Sequence, residues 1–154
     1  MTEETPWAAT LADMRTMADE LEAEGWETLS IVAGDTAAVA PGDGDDDRFG
    51  IVHVIEGGDA DRLETLVAEG TFDGSDAYVA VSEGTEYAVT VCRDTENRTA
   101  VLFAGAFEYE SASKCFVAAR SAGVVYTHAQ RLDGTPVAAF EHDDPALFEP
   151  SGTD

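Results

Sequence analysis

SASKCFVAARSAGVVYTHAQRLDGTPVAAFEH, running from Ser111 to His142, is the stretch whose reading decides the fold. Ala112, Cys115, Phe116 and Ala119 share one helical stripe, so a helix starting near Ser111 packs them inward and stops at Gly123. Val124 to Arg131 then reads as a strand, Asp133-Gly134 as a two-residue turn, and Pro136 to Phe140 as the return strand. That turn pairs Leu132 with Thr135, and therefore His128 with Ala139 and Val125 with His142. Successive side chains of a strand alternate in face, so His128 and His142 are expected on opposite sides of the sheet.

Two earlier stretches follow the same plan. Thr5 caps a helix with Pro6 at its first position, and Trp7, Leu11, Met14, Ala18 and Leu21 form its apolar stripe up to Gly25. A strand from Glu27 to Ala33, a turn at Gly34-Asp35 and a return from Thr36 to Ala40 come next. Phe49 to Ile55 adds a third strand, which Gly57-Gly58 ends. The second unit opens at Asp59, packs Leu63, Leu66 and Val67, and stops at Gly70. Its hairpin, Asp76 to Ser82 and Tyr87 to Arg93, is joined by a three-residue loop that sets Val81 opposite Tyr87 and Val79 opposite Val89. Thr99 to Phe107 barely alternates in polarity, as a central strand covered on both faces would.

The turns at Gly34, Gly84 and Gly134 lie fifty positions apart, and the caps Thr5, Asp59 and Ser111 are separated by 54 and 52. Identity between the units is low, so the internal repeat is one of architecture. The expected fold is α+β: three helix–hairpin units forming one mostly antiparallel sheet with the helices on one face. A single domain over residues 1–154 is expected, with a flexible acidic loop at 41–48 and a tail at 143–154. In that tail Leu147 and Phe148 fold back onto the core.

Charge sets the environment. Thirty-two acidic residues face eight basic ones, a net charge of -24, and Lys114 is the only lysine. Repulsion at this density strains a compact chain in dilute buffer and is screened where the Debye length shrinks to about 3 Å, near 1 M salt. The acidic residues are spread along the whole chain, which fits a halophilic, cytoplasmic protein rather than one with an acidic arm. Nucleic-acid and membrane partners are disfavoured, since both need clustered cations. No apolar run approaches the roughly 20 residues of a membrane span. Cys92 and Cys115 lack metal or redox spacing and read as buried, reduced residues.

Few residues point to chemistry. Asp43, Asp45 and Asp47 imitate a calcium loop, but Arg48 stands where its glycine belongs and Val54 where its bidentate glutamate belongs. His142-Asp143-Asp144-Pro145 reads as a strand end followed by an exit turn. His53 and Glu56 lie on opposite sides of a strand, and Trp7 and Trp26 read as core residues. His128 remains. It shares a face with Tyr126, Gln130 and Glu141, and Glu141, diagonal to it, is placed to orient the imidazole for acid–base work. No phosphate loop, nucleophile elbow, cofactor motif or metal set accompanies this group.

Asp13-Met14, Glu24-Gly25-Trp26-Glu27, Gly34-Asp35, Thr127-His128 and His142-Asp143-Asp144-Pro145 span nearly the whole chain. Together they resemble a family of small haloarchaeal proteins of unknown function. That resemblance implies a high-salt, cytoplasmic setting and carries no catalytic residue over. The expected function is a non-enzymatic, salt-adapted domain that binds a protein or small molecule through its sheet or a sheet edge, without metal or cofactor. The alternative is a small metal-free acid–base or hydrolytic enzyme using His128 and Glu141 with Tyr126. A homodimer joined through a sheet edge is a variant of the first.

Overall fold

A computed structural model of the chain describes residues 5–40 and 49–150. The acidic loop expected at 41–48, with Asp43, Asp45 and Asp47, lies outside the described residues. The element order is α1 (Pro6–Ala23), β1 (Glu27–Val32), β2 (Asp35–Val39), β3 (Gly50–Val54), α2 (Gly57–Glu69), β4 (Gly74–Ser82), β5 (Thr85–Asp94), β6 (Thr99–Glu108), α3 (Tyr109–Ala122), β7 (Val125–Gln130) and β8 (Pro136–His142).

The α+β class holds, but the eight strands build two sheets where one was expected. The first runs β1-β6-β5-β4 and the second β2-β3-β7-β8. Most pairings are antiparallel; β1 with β6 and β3 with β7 are parallel. The expected hairpin at Gly34-Asp35 does not form. The Ala33 amide donates to Ala104 of the first sheet at 3.0 Å, and the next amide, Gly34, donates to Val54 of the second at 2.9 Å. The chain changes sheets between those two residues. The first unit therefore keeps the element order of the other two without their strand pairing.

The second hairpin differs by one residue. Its loop is Glu83-Gly84, with Ser82 opposite Thr85, Val81 opposite Glu86 and Val79 opposite Ala88. Both loop residues have positive φ, 51° and 83°, as a two-residue turn that follows the twist of the strands requires. The last hairpin has the expected register, Val125 with His142 and His128 with Ala139, until an irregularity at Ala129/Gln130.

Helix starts also shift. The Thr5 hydroxyl accepts from the Ala8 amide at 3.1 Å, as its cap role predicts. The other two helices begin earlier than expected, after Glu56 and Glu108 rather than at Asp59 and Ser111, and Gly57-Gly58 form the first turn of α2. Gly123 ends α3 in the left-handed region, its N–H donating to Ala119.

Three clusters make the core. Met14 and Ala18 of α1, with Trp7, Leu11 and Leu21 at their margin, cover Val89, Val91, Leu102 and Ala104 on the outer face of the first sheet. Between the sheets, Ala60 and Leu63 of α2 join Ile31, Ile55, Phe103 and Phe140. Cys115, Phe116 and Ala119 of α3 join Ile51, Phe107, Val125 and Phe148. The helices thus serve different surfaces: α1 the outside of the first sheet, α2 and α3 the space between the sheets. β6 is buried along almost its whole length, as its unbroken apolar run predicts. Phe148 is 1% exposed, so the tail does fold back. Each large apolar side chain buried in these clusters contributes about 1.5–3 kcal/mol.

Candidate functional site

The hairpin β7–β8 separates two concavities, and its alternation decides which residues serve each. Tyr126, His128 and Gln130 point to the outer face of the second sheet, while Val125, Thr127 and Ala129 are buried. His128 lines an open groove of about 780 Å³ whose floor includes Ala37, Val39, Val52, Val54 and Ala139. Tyr126 lies beside His128, with ring centroids 5.9 Å apart, and its hydroxyl donates to Glu141 Oε1 at 3.1 Å. Glu141 lines a second cavity of about 530 Å³ on the other side of β8. The three residues singled out in the sequence are therefore neighbours, but His128 belongs to the groove and Glu141 to the cleft.

The cleft holds the polar group that sequence reading passed over. His142 is 2% exposed. Its Nε2 is hydrogen-bonded to Thr127 Oγ1 at 2.7 Å, and its Nδ1 to Ser75 Oγ, also at 2.7 Å. Ser75 stands near the start of β4, so this chain of three side chains ties the free edge of the first sheet to that of the second. Burial lowers the imidazole to about 4; Asp143 opposes that shift and His128 reinforces it, and the ring is neutral at neutral pH. Phe72 and Phe140 wall the cleft, their rings edge-to-face at 5.3 Å, and Asp73, Glu141, Asp143 and Asp144 give it an acidic rim. The Asp73 carboxyl is held below its usual range by the amide and hydroxyl of Thr95.

The strand does end at His142, and Asp144 accepts from the Ala146 amide in the turn that follows, as expected of the His-Asp-Asp-Pro string. What that string conceals is the partner. Ser75 is 67 residues away, and nothing local marks it.

Two further buried groups lie between the sheets. His53 is stacked on Phe103, with planes 1° apart and centroids 5.1 Å apart, and Nδ1 is 3.0 Å from Thr36 Oγ1. Burial lowers it to about 3. A Cβ on Gly105 would lie 2.5 Å from that hydroxyl and 2.7 Å from the ring, so glycine in β6 is what lets the sheets meet here. Glu86 is fully buried, and neither carboxylate oxygen has a hydrogen-bond partner among the described residues. Burial first, and the charge of Glu149 second, push it up to about 8. Cys92 and Cys115 are free and buried, and burial raises both thiols, Cys115 to about 11.

A family of unknown function, DUF7529, matches residues 2–150. The chain belongs to that family. No curated protein and no solved structure matches it. Membership in DUF7529 brings no assigned activity, so the function has to be argued from the groove and the cleft. Among the described residues no group of three or more His, Cys, Asp or Glu is arranged to hold a metal ion. None of their helices is long and apolar enough to cross a membrane.

Proposed function

We propose that this member of DUF7529 is a small-molecule-binding domain of a salt-rich cytoplasm, with its ligand on the outer face of the second sheet. One observation carries the reading: no residue of the three helices lines the groove there. An amphipathic sheet normally has its apolar face covered, and apolar patches left open mark binding surfaces. The groove volume, about 780 Å³, falls in the range of small-molecule sites. Alanines and valines line most of it and Asp35 is its one carboxylate, which disfavours an anion, while His128 and Gln130 offer hydrogen bonds to one side of a ligand. The ligand this fits is a flat, uncharged molecule with a polar edge. It is bound without covalent chemistry and without a cofactor.

The salt-rich setting rests on the net charge of -24 and its dispersal along the chain. Thermal stability is expected to rise steeply from dilute to molar KCl, and a flat profile would remove that part of the reading. For the site, ligand-observed NMR of uncharged aromatic fragments in molar KCl is expected to give binders that Val52→Arg abolishes and His128→Ala weakens. A screen without binders, or binders indifferent to Val52→Arg, would overturn it.

A further inference from the structure

The cleft on the other side of β8 carries a different chemistry. We infer that Ser75 is a nucleophile, with His142 as its base and Thr127 as the positioning residue, in a site that hydrolyses esters carrying a cationic group.

Three geometric conditions for such a site are met. A hydroxyl that lines a cavity is within hydrogen-bond reach of an imidazole, Ser75 Oγ to His142 Nδ1 at 2.7 Å. The other ring nitrogen is held by a third group, Thr127 Oγ1, at 2.7 Å. The imidazole itself is 2% exposed and held at both nitrogens, so the ring is fixed, and both it and Ser75 line the cleft. With Nε2–H donating to Thr127, the lone pair of Nδ1 is left to accept the Ser75 proton.

The reaction follows from those roles. Ser75 Oγ attacks the ester carbonyl carbon and its proton passes to His142 Nδ1. The tetrahedral adduct collapses, the carbon–alkoxy bond breaks, and Nδ1–H protonates the departing alkoxide. Water then attacks the acyl carbon and gives a proton to Nδ1. The bond from the acyl carbon to Oγ breaks, and Ser75 recovers the proton. One ester and one water yield one acid and one alcohol, with no other reactant.

The orienting group selects the substrate class. A threonine hydroxyl carries no charge and cannot stabilise an imidazolium as a buried carboxylate does. His142 is therefore a weak base, adequate for esters and too weak for amides. The rim of Asp73, Glu141, Asp143 and Asp144 favours a positive charge on the substrate, and the edge-to-face pair Phe72 and Phe140 supplies an apolar wall. This site shares only Ala139 with the groove, so it stands or falls apart from the binding reading.

The test uses the full chain in molar KCl with a fluorophosphonate probe, followed by intact-mass and peptide mapping. One adduct on Ser75 is expected, absent in Ser75→Ala. His142→Gln should slow its formation by about 100-fold. Thr127→Val should slow it with unchanged probe saturation, and Thr127→Ser should restore it. Acetylthiocholine should be hydrolysed faster than phenyl acetate, with the preference shrinking as KCl rises. A wild-type protein that remains unlabelled under conditions that label a control serine hydrolase overturns the inference. So does an adduct whose rate is indifferent to His142→Gln. If the three side chains serve only to join the sheets, the variants lower the melting temperature and the wild type does not label.

Discussion

The space between the two sheets and the outer face of the second sheet share the strands β2, β3, β7 and β8, yet they hold polar groups in opposite ways. Inside, His53, His142 and Glu86 are all shifted towards their neutral forms, and burial is the first cause in each case. Outside, His128, Gln130 and the Tyr126–Glu141 pair sit at an open groove or an exposed surface. His128 and His142 are fourteen residues apart on one hairpin, and the alternation of a β-strand alone separates them. The chemistry open to a histidine here is set by which face it takes.

Changing a residue on one face should therefore act on stability and pH response in a way the other face does not reproduce. The largest effect is expected at Glu86. Its folded pKa is raised, so the folded state holds the proton more tightly than the unfolded chain does. Wild-type stability should fall as pH rises from about 4.5 to about 8, with the loss complete above that. Glu86→Gln should abolish that decline and add on the order of 4 kcal/mol at pH 9, read by urea denaturation in molar KCl. A parallel pair of pH profiles would mean that Glu86 is solvated in the fold.

His142→Ala comes next, at about 3 kcal/mol, because it leaves Thr127 buried without its partner and opens a cavity beside Phe148. The acid side carries a second signature. His53 and His142 have lowered folded values, so their stability is fully present above about 6.5 and is lost as pH falls towards 3 and 4. Each group contributes at most roughly 1.4 kcal/mol per pH unit in that window, and the variant should lose one of the two contributions. Gly105→Ala should cost about 2 kcal/mol by forcing apart Thr36 and His53, measured by thermal unfolding. On the outer face, His128→Ala should change stability by less than about 0.5 kcal/mol while weakening fragment binding. A large loss there would erase the contrast between the faces.

Much of the local structure was legible. The Thr5-Pro6 start of α1, the buried course of β6 and the register of the last hairpin follow from capping, polarity and turn chemistry, which act over a few residues. The sheets were not legible, because β1 meets β6 and β3 meets β7 across long stretches of chain, and parallel pairing leaves no turn to read. Gly34-Asp35 illustrates the ambiguity: a turn-forming pair serves a change of sheet as well as a hairpin. At β4–β5 the expected three-residue loop offers a consistent buried face, but Glu83 takes a positive φ, unusual for a glutamate, and the turn closes with two residues. That single residue of register moves Val79 opposite Ala88 and Val81 opposite Glu86. The candidate site was half visible. His128, Tyr126 and Glu141 are neighbours as expected, but the Ser75–His142 contact spans both sheets and has no local trace.

The change of sheet at Ala33-Gly34 bears on how the protein is made. During synthesis β1 and β3 emerge long before β6 and β7, their partners in the parallel pairs, so neither sheet can be completed from the N-terminal half of the chain. Only the β2–β3 pair is available early, and an isolated two-stranded ribbon is marginal in water. The nascent chain must carry β1, with its apolar Leu29 and Ile31, unpaired until the ribosome has passed Glu108.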